Sequence, residues 1–345
     1  MINNFKKISK IILFSLLAIQ LSYAGDPSRY GTAGGMQTVV PVGARYLAMA
    51  GANVSTVEGI DGISWNPAGL SNMSGNASGV FSTMNIFNDV AVNYMAIGAN
   101  MGGFGNIGVS LKAFDFGDIP VTTVTDPDGA GGGTFSPTFF TLGLTYANRL
   151  TDVIQVGVTA KVISESIDRA GATAIAFDAG IQYANLAGFE GLSFGVVMRN
   201  IGSSLQYSGS GLNKQAVEVD GATFSDFLNR EAQIDNLPGS FEIGMSYAVS
   251  IDNENALTLF TNFNNYNYGS DNFRFGGEYI WNNMVALRGG YIYATDLDAE
   301  AQLYRFTLGG GFNYTLGDVK LNLDYSYRDS QYFDGNNLFS IKVSF

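Results

Sequence analysis

From about Ser78 onward, apolar and polar residues alternate along the chain. Val319, Leu321, Leu323, Tyr325 and Tyr327 interleave with Lys320, Asn322, Asp324, Ser326 and Arg328. Successive side chains of a strand point to opposite faces, so this pattern predicts a strand with one greasy and one polar face. Phe241 to Val249, Phe273 to Trp281 and Ile154 to Val162 repeat it. Fourteen such segments follow one another, over 78–88, 90–101, 106–116, 137–149, 153–166, 173–185, 191–201, 239–251, 255–265, 271–281, 284–295, 301–315, 318–329 and 336–345. Most have 10–15 residues, long for a soluble strand and suited to a tilted membrane strand.

The connections alternate too. Gly102–Gly105, Thr151-Asp152, Leu186–Glu190, Asp252–Glu254, Asn282-Asn283 and Leu316–Asp318 are tight; Gly117–Ser136, Gly202–Pro238, Asp296–Glu300 and Ser330–Gly335 are longer. Short turns at one end and long loops at the other are the signature of an outer-membrane barrel. An even strand count places both termini on the periplasmic side, with the long loops at the cell surface. In a soluble β-sandwich or lipocalin-like barrel the greasy faces would point inward, and alternation alone does not separate the two. Charges deep in the polar faces, and Tyr, Phe and Trp near strand ends, favour the membrane form. The predicted fold is therefore an all-β, transmembrane antiparallel barrel of about fourteen strands over residues 78–345.

Residues 25–77 lack the period of two and are rich in Gly, Ala and Ser. They are read as an N-terminal plug, or hatch, with short helices. Gly43–Ala52 suits one helix, and Asn66-Pro67 marks a turn or helix entry. The long loop at 202–238 holds Phe224, Phe227 and Leu228, a short-helix candidate that suits a protein partner or a lid.

Composition narrows the function. The 345 residues include no Cys and no His, and carry a net charge of −12. Nucleophilic triads, thiolate or His-ligated metals and disulfides are excluded. An acidic chain is no general nucleic-acid binder. Lys6, Lys7 and Lys10 precede the apolar run Ile11–Ile19, and Ser22 and Ala24 supply small residues for cleavage. Residues 1–24 thus read as a signal peptide rather than a membrane anchor, which needs about 20 apolar residues. Cleavage removes three lysines and no acid, which takes the charge to −15. Carboxylates on separate strands and the Gly129–Gly133 run give no catalytic site, and Asp126–Gly129 reads as a plain turn. No cofactor, no metal and no enzymatic activity are expected.

With greasy faces outward, the lumen collects Lys112, Lys161, Arg199, Arg274, Arg288, Arg305, Lys320, Arg328 and Lys342, with Asp178, Glu242, Glu278 and Asp324. Buried charges need partners. A plug would supply them; the alternative is a basic conduit for anions. The last strand alternates Phe339, Ile341, Val343 and Phe345 with Ser340, Lys342 and Ser344. A C-terminal strand ending in Phe looks like the signal read by the barrel-assembly machinery.

Val42–Leu70, VGARYLAMAGANVSTVEGIDGISWNPAGL, resembles the N-terminal signature of the PorV/PorQ family, within the FadL-like class of outer-membrane barrels. Gly43, Ala44 and Arg45 match its first part, and Trp65, Asn66, Pro67, Ala68, Gly69 and Leu70 its second. The stretch Ser55–Gly62 departs from it, with Glu58 and Asp61 where an Ala-Asp-Asp-like run is common. The resemblance implies two functions. PorV-like members work with a type IX secretion translocon, recognising cargo by C-terminal sorting domains and carrying it to the cell surface. FadL-like transporters admit long-chain fatty acids or other hydrophobic compounds, with a plug that moves and a sideways exit through the wall. The charged polar faces favour secretion; the apolar plug residues Val39, Val40, Tyr46, Leu47, Met49, Ile60 and Ile63 favour uptake. A general porin is the third option.

Overall fold

The computed structural model describes residues 27–86, 90–216, 226–298 and 300–345. The signal segment 1–24 and Phe224 lie outside them. Fourteen strands form a closed barrel: β1 (Ala77–Asn85), β2 (Ala91–Asn100), β3 (Asn106–Asp115), β4 (Thr138–Arg149), β5 (Ile154–Ile167), β6 (Ala170–Tyr183), β7 (Leu192–Gly202), β8 (Ser240–Ser250), β9 (Ala256–Tyr266), β10 (Asn272–Trp281), β11 (Val285–Ala294), β12 (Phe306–Leu316), β13 (Val319–Arg328) and β14 (Asn336–Ser344). Each pairs antiparallel with its sequence neighbour. β1 closes on β14, from Ser78↔Ser344 to Asn85↔Asn337.

The faces are inside out relative to a soluble barrel. Ile97, Leu144, Val158, Leu259 and Leu308 are exposed, while Lys112, Asp178, Glu242, Arg288 and Ser326 are buried. The greasy faces therefore point outward, and an apolar belt of that extent needs lipid rather than water. Closure satisfies the ladder hydrogen bonds without a free edge, the condition for strands in lipid.

The expected segments and the observed strands agree within a few residues, with two informative exceptions. β12 begins at Phe306 rather than 301, because the Gln302 side chain donates to the carbonyls of Ile292 and Tyr304 (2.9 and 2.7 Å) and holds 301–305 as a loop. β6 begins at Ala170, earlier than 173, after a tight turn in which Asp168 takes φ 45. At the short-turn end, Asn282 and Asn283 adopt φ 55 and 52, the left-handed pair that a two-residue hairpin requires. In the long loops, Asp226–Asn229 pairs with Asn213–Ala216. The helix expected around Phe227 and Leu228 is instead one arm of a hairpin, because its backbone groups are taken up by a partner strand.

The segment before β1 fills the lumen with short helices, among them Ala44–Leu47, Gly62–Trp65 and Pro67–Asn72. Its first described residues lie among the long loops. The Tyr30 hydroxyl donates to Asp296 (2.6 Å), and Gly34 N–H donates to the Asn236 carbonyl (3.0 Å). It ends at the opposite mouth, where Asn76 N–H donates to the Phe345 carbonyl (2.7 Å). The barrel itself begins and ends at the short-turn end, as an even count demands. The first described residues of the hatch lie at the other mouth, because the hatch runs the length of the lumen.

Candidate functional site

The hatch is held by shape first. Ala44, Ala48, Met49, Ala52, Val54, Ile60, Ala68 and Leu70 are fully buried between hatch and wall. The wall meets them with glycines that face inward. A methyl group at Gly157 would overlap the Pro67 backbone, and one at Gly180 would overlap Asn66. At Gly195 it would lie 2.5 Å from the Val54 carbonyl oxygen, and at Gly276 2.8 Å from that of Met49. Gly290 and Gly309 receive Ala50 and Ala48 in the same way. The missing side chains let two backbones approach around much of the barrel.

The residues of the recognised motif build this seat. Trp65 Nε1–H donates to the Val42 carbonyl (3.0 Å). The Asn66 amide donates to the carbonyl of Val54 (2.8 Å), and to those of Ile181 and Val196 in the wall (3.3 and 3.4 Å). Its Oδ1 accepts from Ala68 N–H (3.1 Å) and so caps the helix that starts at Pro67. Gly69 lies so close to the Val57 carbonyl that a Cβ would collide with it. Gly43 has φ 83, and Ala44 N–H donates to Ser340 Oγ (2.7 Å) on β14.

Arg45 starts a chain of alternating charges. Its Nη1 lies 3.0 Å from Glu58, and its Nε and Nη2 bind both oxygens of Glu278 on β10 (3.1 and 3.0 Å). Arg288 on β11 then bridges Glu278 and Asp324 on β13, at 2.6 Å each. Lys342 on β14 pairs with Asp61 of the hatch at 2.7 Å. Lys161 pairs with Asp178 at 2.5 Å, and Arg199 with Glu242. Of the expected lumen charges, Arg305 and Lys320 stand apart. Arg305 precedes β12 and binds Gln331 of a long loop (3.0 Å). Lys320 is exposed beside the short turn. Strand parity placed both inward, but each sits at a strand end, beyond the hatch.

A cavity of about 550 Å³ opens between hatch and long loops. Its apolar lining includes Val39, Val40, Val42, Leu47, Trp65, Ile292 and Leu303, and its polar lining includes Tyr266, Tyr268 and Gln302. Lys112, Arg199, Arg274 and Arg328 also line it. Lys112 Nζ donates to the carbonyls of Gln37, Thr38 and Val40 (3.2, 3.2 and 2.7 Å). Arg274 donates to Asn272 and to the Tyr266 hydroxyl (3.2 and 2.5 Å). Arg328 donates to Asn336 and lies 3.6 Å from the Tyr304 ring centroid. Above the strands, burial holds the Tyr268 hydroxyl well above its ordinary value, and its bond to Asp296 raises that of Tyr30. Both phenols stay neutral.

The barrel, as a fold, has counterparts among solved structures. The fold is that of the hydrocarbon channels. The CymD monoaromatic hydrocarbon channel is 13% identical, with 88% of this chain and 97% of that one covered and a TM-score of 0.55. The toluene transporter TbuX of Ralstonia pickettii is 13% identical, with 88% and 98% covered and a TM-score of 0.53. A FadL homologue of Pseudomonas aeruginosa is 10% identical, with 88% and 98% covered and a TM-score of 0.51. No protein-family model matches the sequence, and no curated protein matches it. At 10–13% identity these likenesses show a shared barrel fold.

The paired carboxylates and cations were legible from strand parity, but their partners were not. The glycine seat was missed. Its signal is present: Gly157, Gly180, Gly195 and Gly276 all fall on the polar, inward parity of their strands.

Proposed function

We propose that this protein is an outer-membrane channel of the FadL-like kind, admitting hydrophobic compounds through the cavity above its hatch. Its short turns face the periplasm and its long loops the cell surface. The observation that carries this reading is the 550 Å³ cavity inside the barrel, with apolar hatch residues on one side and aromatic loop residues on the other. Its size suits a small ligand, and the shared fold with hydrocarbon channels supports it. Below the cavity the seated hatch closes the lumen, so a ligand leaves by shifting the hatch or by crossing the wall. Between β6 and β7 the register shifts at Phe177/Ala179, where Asp178 accepts the Asn200 N–H (2.8 Å). That irregularity is the place for a sideways exit. The test is uptake of labelled toluene into liposomes containing the purified protein. Entry faster than into protein-free liposomes is expected; equal rates would overturn the reading.

A second reading keeps the Val42–Leu70 motif as its support. In it, the long loops collect cargo with C-terminal sorting domains from a type IX translocon. The motif residues already have a structural task in seating the hatch, so they weigh less as a mark of secretion. Deletion of the gene would then leave such cargo unprocessed in the periplasm. In either reading, Phe339, Ile341, Val343 and Phe345 are the signal for the barrel-assembly machinery, and lipid surrounds the belt.

A further inference from the structure

The cavity is chemically unlike a hydrocarbon site. Lys112, Arg274 and Arg328 reach it from three strands, and among the described residues none has a carboxylate within 4.0 Å. Their partners are carbonyls, amides and hydroxyls, which satisfy N–H groups without cancelling charge. Arg199 adds a fourth cation, neutralised by Glu242, and its buried Nε–H has no acceptor among the described residues. Buried cations carry a large electrostatic cost unless an anion joins them. A neutral hydrocarbon would leave Arg274 and Arg328 uncompensated, and a single carboxylate would offset one of them.

We propose that the cavity receives a hydrophobic molecule carrying a doubly charged acidic group, of the phosphate monoester class. Guanidinium groups match the oxygens of such a group in pairs, and the Lys112 ammonium, whose three N–H groups are taken by hatch carbonyls, adds charge rather than a donor. Val39, Val40 and Leu47 take the apolar body. This inference refines the uptake reading and rests on the cavity being the ligand site.

Trp65 lines the cavity beneath the Arg199 guanidinium, 5.9 Å from its ring centroid, and reports occupancy by fluorescence in a Trp281→Phe background. The full barrel in neutral detergent at pH 8 is titrated with phenyl phosphate, hexyl phosphate, benzoate, toluene and inorganic phosphate. Phenyl phosphate or hexyl phosphate should bind at least tenfold more tightly than benzoate, toluene or inorganic phosphate; which of the two wins separates an aromatic source from an aliphatic one. Arg274→Gln and Arg328→Gln should each weaken phosphate-ester binding about tenfold, the scale of one charge-assisted contact, and leave toluene binding within about twofold. Arg274→Lys, which keeps the charge and loses the paired geometry, should bind between Arg274→Gln and wild type, which controls for misfolding. Equal binding of toluene or benzoate, equal binding of inorganic phosphate, or a fully active Arg274→Gln/Arg328→Gln double variant would overturn the inference. Toluene entry into liposomes without phosphate-ester binding would sink this inference alone. Phosphate-ester binding with no solute crossing would sink the uptake reading alone.

Discussion

Two levels of the same lumen are built on opposite rules. At the hatch level, inward charges meet opposite charges, as in the run Glu58–Arg45–Glu278–Arg288–Asp324, and glycines bring backbones together. At the cavity level, Lys112, Arg274 and Arg328 are held by neutral groups, and only Arg199 has a carboxylate partner, Glu242. A neutralised, close-fitted layer resists both water and movement, because separating a buried pair strands two charges. A layer with surplus charge invites a ligand. In the proposed function, the difference gives sealing to the lower level and recognition to the upper one.

The comparison breaks most severely at Arg45. Arg45→Glu sets a third carboxylate beside Glu58 and Glu278 and deprives the buried Glu278 of one of its two cationic partners. Loss of such a partner costs about 3–5 kcal/mol. Planar bilayers should then show a raised single-channel conductance; unchanged conductance would remove Arg45 from the seal. Gly157→Val tests the seat without touching a charge. Overpacking costs about 1–3 kcal/mol, so the heat-modifiable band on gels should convert at a lower temperature, whereas Gly269→Ala, in a loop with open space beside it, should convert as wild type. Tyr30→Phe frees the first described part of the hatch from Asp296, at a cost of about 1 kcal/mol. Faster proteolysis near Tyr30, with conductance unchanged, is the expected result.

The smallest effect belongs to the short turn after β8. Hydrogen bonds from Asn255 and the Glu254 amide hold the Asp252 carboxyl below its ordinary value. A lowered folded value means that this stabilisation is present above the unfolded carboxylate value and disappears as pH falls through the folded one. The protection of the Glu254 and Asn255 amides against hydrogen exchange, relative to the intrinsic rate at each pH, should fall on acidification in the wild type. In Asp252→Ala that protection should already be lost at neutral pH.

Much of the barrel was legible because a strand in lipid obeys a period of two along its whole length; β13 could be drawn residue by residue from its alternation. The hatch was legible as the stretch where that period fails. What lay beyond reach were pairings between strands far apart in sequence. Glu278 meets Arg45 across 233 residues, and alternation gives a face without giving a neighbour. The loop at 301–305 failed for a local reason, since a single glutamine side chain replaced the ladder there. The hatch path, from long-loop mouth to short-turn mouth, follows from contacts of Tyr30 and Gly34 that no pattern encodes.

That path also constrains how the molecule is made. The hatch comes before every strand in the chain, and the seam between the first strand and the last is completed only when residue 345 is in place. The terminal phenylalanine joins it directly, its carbonyl accepting from the amides of Asn76 and Ala77. Once the seam is shut, a segment fitted against Gly157, Gly180 and Gly195 can enter only endwise, through a mouth of the barrel. A wall that assembles around its own stopper avoids that passage, and such a molecule is born closed.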